Sequence, residues 1–89
     1  MPKKNYQPGD IIDLDDVAIS SAALAAWHGV AQRAAAFCHQ VGVRSEDLPE
    51  EQGRLEQDGS FSVFVKVKTP SGGEVDFSLP IPPGQWAWR

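Results

Sequence analysis

Ser60–Ile81 reads SFSVFVKVKTPSGGEVDFSLPI, and both halves alternate apolar and polar residues with a period of two. Phe61, Val63, Val65 and Val67 fall on one side of the first half, with Ser62, Phe64, Lys66 and Lys68 on the other. Val75, Phe77, Leu79 and Ile81 share one side of the second half. Alternation and β-branched content together predict two strands. Between them stands Thr69-Pro-Ser-Gly-Gly. Pro70 suits the second position of a type I turn, and Gly72 the left-handed site of a three-residue loop. That loop length sets Val67 against Val75 and Val65 against Phe77, giving the hairpin one apolar face. A loop of two or four residues would set valine against aspartate.

Upstream, Asp58-Gly59 is a second turn signal, so Gly53–Gln57 is expected to add a short edge strand. Downstream, Pro80, Pro82 and Pro83 are expected to end the sheet, because proline cannot donate into a ladder. The last six residues, GQWAWR, place Trp86 and Trp88 at strand spacing on a common side. They are read as an extended aromatic arm, either packed over the open end of the core or, with Arg89, available to a partner.

The hairpin needs something to cover its apolar face, and Ser20–Gly42 (SSAALAAWHGVAQRAAAFCHQVG) supplies it. Ala23, Trp27, Val30, Ala31, Ala34, Phe37, Cys38 and Val41 recur at helical spacing. Ser20 or Ser21 can cap the start, and Gly42 suits a left-handed C-terminal position. The opposite face is unusual: Ala22, Ala25, Gly29, Gln32 and Ala36 replace the lysines and glutamates of a solvated helix, and Arg33 carries the helix's single charge. Alanine tolerates exposure in a helix, but Ala25-xxx-Gly29 would also let a second backbone approach, making Ala25, Gly29, Gln32 and Ala36 a candidate packing face.

Ahead of the helix, Asp13 followed by Asp16 resembles a capping pair, and Ile12, Ile19 and Ala23 could extend the apolar stripe. The helix is therefore expected to begin near Leu14 or near Ser20. Ser45-Glu-Asp-Leu-Pro-Glu-Glu reads as a capped single turn with Ser45 as cap and Leu48 pointing inward. The expected fold is α+β: one long N-terminal helix packed on a two- to three-stranded antiparallel sheet in meander order, with an extended aromatic C-terminal arm. A loose tail over 1–12 precedes a single domain over 13–89. Phe77→Ala is expected to cost about 3–5 kcal/mol.

Charge is uneven in the 89-residue chain. From Asp10 to Val65 ten acids face three arginines, although the whole chain carries only −4. A surface of that sign repels phosphate backbones and disfavours direct nucleic-acid binding. It could instead attract a basic groove of a protein that handles nucleic acid, and Asp13, Asp15, Asp16, Glu46, Asp47, Glu50 and Glu51 are the residues that would do so. The alternative is that these acids only keep the loops soluble.

Other chemistry finds little support. The aspartates at 10, 13, 15 and 16 lack the EF-hand order, so no metal is expected. His28 and His39 lie about 16 Å apart along a helix, and the adjacent Cys38 and His39 point about 100° apart. There is no CxxC, no HExxH and no phosphate-cradling glycine loop. No enzyme and no cofactor are expected. One cysteine excludes an intrachain disulfide and, with no signal peptide or bilayer-length apolar run, points to the cytoplasm.

In size and charge the chain resembles small acidic phage proteins that inhibit bacterial nucleases, anti-CRISPR proteins included, by profile and without a shared motif. Two function classes follow. One is an inhibitor or adaptor occupying a basic surface of a larger nucleic-acid-handling machine. The other is a self-associating structural module, a homodimer joined through the Ala/Gly helix face or the Trp arm.

Overall fold

The alternating stretch folds as the expected hairpin, and the helical stretch lies across it. In the computed structural model, which describes residues 6–89, the chain runs β1 (Ile11–Ile12), a 3-10 turn (Leu14–Asp16), β2 (Val17–Ile19) and α1 (Ser21–Val41). A second 3-10 turn (Ser45–Asp47), β3 (Gln52–Leu55), β4 (Phe61–Lys68), β5 (Glu74–Ile81) and β6 (Trp86–Trp88) follow. The class is α+β.

The Pro70–Gly72 loop sets the β4–β5 register as its length predicts, with Val67 against Val75 and Val65 against Phe77. Thr69 N–H donates to the Gly73 carbonyl at 2.9 Å, and Gly72 takes φ 95°. The β3–β4 connection repeats the device: Glu56 N–H donates to the Ser60 carbonyl at 2.9 Å, with Gly59 at φ 88°. Ser20 caps α1 by accepting from Ala23 N–H at 3.1 Å, so the helix starts at the later of the two expected positions. Gly42 closes it at φ 84°.

The sheet is larger than expected. Its four strands run in the order β1-β3-β4-β5, and β2 and β6 form a separate antiparallel pair. Both additional strands come from residues 11–19, read from sequence as tail and helix approach. Ile12 is 1% exposed and pairs with Gly53, so the domain begins before residue 13. Two residues are too few to display a period, and the spacing of Ile12, Ile19 and Ala23 happens to suit a helix as well. The tail's residues 1–5 lie outside the described residues. Because β1 pairs with β3, β3 is an interior strand and not an edge.

Pro80 corrects a second expectation, since it sits inside β5 against Ser62. In an antiparallel pair, successive residues bond alternately to one side and the other. Counting from the bonded Thr69–Gly73 pair, residues 75, 77, 79 and 81 bond to β4, whereas 74, 76, 78 and 80 direct their amide groups away from it. Proline therefore occupies an outward position on an edge strand, where no donor is needed. The aromatic arm is likewise a strand: Val17 pairs with Trp88 and Ile19 with Trp86.

The core lies between α1 and the sheet. Trp27, Val30 and Ala34 meet Phe61, Val63, Val65 and Ile81, joined by Ile12 and Val17. Phe37 tilts against Phe77 at 5.6 Å between centroids, and Phe77 is half-buried. Leu48, expected inward, is 48% exposed, and Val75 is 36% exposed. The Ser45 side chain, the expected cap, lies outside the described residues.

Candidate functional site

The β1–β3 register decides where the acids go. Ile12 opposite Gly53 means that the chain leaves β1 and enters β3 at the same end of the pair. Asp13, with Asp15 and Asp16 in the turn behind it, follows β1 at the end of the pair where Glu50 and Glu51 lead into β3. Asp13 caps that turn by accepting from Asp15 N–H at 3.0 Å. Asp16 accepts from the Tyr6 hydroxyl at 3.0 Å and is half-buried. Glu46 pairs with Arg44, and Glu46, Asp47, Glu50 and Glu51 are all exposed. Asp47 lines a shallow pocket with Arg44, Lys66 and Lys68, so part of the second acidic segment lies among basic residues.

The aromatic pair is engaged inside the chain. Trp86 lies 5.3 Å from Phe61 and 5.2 Å from Trp88, and Trp88 stacks on Tyr6 at 5.1 Å. Trp86 Nε1 donates to the Gly59 carbonyl at 3.1 Å, closing β6 onto the β3–β4 turn. Arg89 Nε donates to the Val17 carbonyl at 2.9 Å. Both indoles are half-buried. On α1, Ala25, Gln32 and Ala36 are exposed and Gly29 is half-buried.

A cleft that the sequence reading missed opens on the face of the sheet away from α1. It measures about 670 Å³ and is lined by Arg54, Glu56, Asp58, Ser60, Ser62 and Pro80, with Pro8, Gly9 and Gln57 at its rim. Ser62 donates to Glu56 Oε2 at 2.7 Å, and Arg54 pairs with the same oxygen at 3.2 Å. Ser60 donates to Asp58 Oδ1 through both its hydroxyl and its backbone N–H, at 2.6 and 2.9 Å. The Ser62 hydroxyl, then Arg54, hold Glu56 below the ordinary carboxylate range, and Ser60 does the same for Asp58. Arg54 also lies over the Phe64 ring at 5.4 Å, which helps to explain how an outward phenylalanine is only 4% exposed. The signal was present in the spacing: Arg54-x-Glu56 and Ser60-x-Ser62 run from neighbouring strands into the turn that joins them. Here both hydroxyls donate to carboxylate oxygens, and these bonds order the surface of the cleft.

Among the described residues, no three His, Cys, Asp or Glu side chains gather closely enough to hold a metal ion. No helix among them is long and apolar enough to cross a membrane. No protein-family model, curated protein or solved structure matches this chain.

Proposed function

We propose that this chain is a small acidic, non-enzymatic binding protein that works through protein–protein contacts, as an inhibitor or adaptor docking on a basic surface of a larger nucleic-acid-handling assembly. One observation supports the reading: the β1–β3 register puts Asp13, just ahead of Asp15 and Asp16, at the end of the pair where Glu50 and Glu51 lead into β3, and we read these acids as one acidic rim. A concentrated negative patch steers a basic partner into contact and repels nucleic acid itself. The lone cysteine, Cys38, fits a cytoplasmic setting.

The test compares wild type with a fourfold reversal, Glu46→Lys, Asp47→Lys, Glu50→Lys and Glu51→Lys. Each chain is immobilised, and the basic proteins it retains from host lysate are quantified at low and high salt. The wild type should retain a partner that high salt releases, and the reversal should not retain it. Equal retention by both chains overturns the reading.

A further inference from the structure

The acidic rim leaves the opposite edge of the four-stranded sheet without a role. We propose that this edge, β5, pairs with β5 of a second copy of the chain, antiparallel about a twofold axis at Phe77. Among the described residues no strand pairs with the outer side of β5, although its eight residues follow one unbroken register against β4. Exposed edges are commonly blunted by short strands, bulges, lysines or prolines. β1, at the other edge, is only two residues long. β5 is a full eight residues with no bulge; its two charges, Glu74 and Asp76, stand near its start and its one proline next to its last residue, which leaves the stretch around Phe77 and Ser78 open.

The chemistry of the strand selects the partner and the register. Outward amide groups belong to Glu74, Asp76, Ser78 and Pro80, by the alternation counted from the Thr69–Gly73 bond. With Phe77 on the axis, Asp76 N–H faces the Ser78 carbonyl of the second copy, and Ser78 N–H faces the Asp76 carbonyl. On the helix side Val75 then meets Leu79, and Phe77 meets Phe77. Val75, 36% exposed in the single chain, gains an apolar neighbour.

Neighbouring registers are worse. Shifting one way sets Asp76 directly against Asp76, a like-charge cross-strand pair. Shifting the other way brings Asp76 against Pro80 and loses ladder bonds near the centre, because proline has no N–H. A one-residue slip aims outward groups at groups already bonded to β4.

The helix does not obstruct this contact. Phe37 meets Phe77, so Phe37 marks the flank of α1 nearest the edge. At about 100° per residue, Ala22, Ala26, Gly29 and Arg33 share that flank. Apart from Arg33 they are alanines and a glycine, short enough for a second helix to lie alongside.

Light scattering across micromolar to submillimolar concentration should show the wild type approaching twice the 9.7 kDa of one chain. Ser78→Pro removes an outward donor that the β4 ladder does not use. It should leave the circular dichroism and Tm near wild type while weakening self-association about tenfold or more, since a symmetric contact loses the bond twice. Val75→Lys, at an exposed position, should weaken it as well. Ser78→Lys should tighten it, because the introduced ammonium faces Asp76 of the second copy. A wild type that stays monomeric overturns the proposal, as does a folded Ser78→Pro chain that dimerises like wild type. Dimerisation abolished by Gly29→Arg and untouched by Ser78→Pro overturns it in favour of the helix face. Weaker association on Ser78→Lys overturns the register.

Discussion

At the residue scale, Gly53 and Ser62 illustrate two kinds of demand. Gly53 is buried in β3 with a non-positive φ, so its backbone does not require glycine. Its neighbour does: the tip of the Phe61 ring lies against it, and a Cβ there would collide with Phe61 Cζ. Gly53→Ala should therefore destabilise the domain by about 1–3 kcal/mol or more, as overpacking does. Gly29→Ala is the contrasting case, with Arg33 Nη1 at 3.9 Å as the nearest group. In a helix interior it should stabilise by about 0.5–1 kcal/mol. Urea titrations of both variants check the pair. Ser62 makes its contribution through charge. Its hydroxyl donates to ionised Glu56 and holds that carboxyl below its ordinary value. A lowered folded pKa means stability present above the unfolded value, about 4.3 for glutamate, and lost as acid protonates the folded group. Ser62→Ala should thus be less stable than wild type at neutral pH, and the gap should close on acidification through that range. A gap independent of pH would show that the hydroxyl does not act through the carboxylate.

At the element scale, Phe61 and Phe77, the two phenylalanines on the helix-facing side of the hairpin, are unequal, although the alternation places them alike. Phe61 is 0% exposed, between Gly53 and Trp86, whereas Phe77 is half-buried against Phe37 on the edge strand. Phe61→Ala should cost about 3–5 kcal/mol and Phe77→Ala clearly less, because the half-exposed site loses less apolar contact and leaves no closed cavity. This revises the sequence expectation for Phe77. Differential scanning calorimetry of both variants separates them, and equal losses would mean that β5 is covered more fully than the structure shows. The β2–β6 pair explains the unexpected role of the C-terminal tryptophans. Two strands of three residues are marginal by themselves. Tyr6, Trp88, Trp86 and Phe61 form a continuous aromatic pile that ties the ribbon to the sheet.

At the scale of the whole molecule, fold and charge are separable. The acids of the rim are mostly exposed, and exposed charges contribute little to stability. The fourfold reversal at Glu46, Asp47, Glu50 and Glu51 should therefore keep its Tm within a few degrees of wild type while losing partner binding. For the wild type, the association rate with the captured partner should fall steeply with salt and the dissociation rate change little. A salt-independent association rate would exclude steering by the rim.

What the sequence determined is what local periodicity can carry. Eight-residue alternation, a three-residue loop and a 21-residue amphipathic helix each repeat their signal several times, so hairpin register and Gly42 stop were legible, while the choice of Ser20 as cap came from the structure. The buried partners Trp27, Val30, Ala34, Phe61, Val63 and Val65 followed from the same periods. Tertiary structure alone decided the rest. Ile11–Ile12 and Val17–Ile19 are too short to show a period and become strands only because β3 and β6 offer them a ladder. The Ser–carboxylate cleft and the return of the chain into β3 at the Asp13 end of β1 depend on which strand lies beside which. Adjacency across a sheet is set by pairing between residues as far apart as Val17 and Trp88, and no local window of sequence contains both.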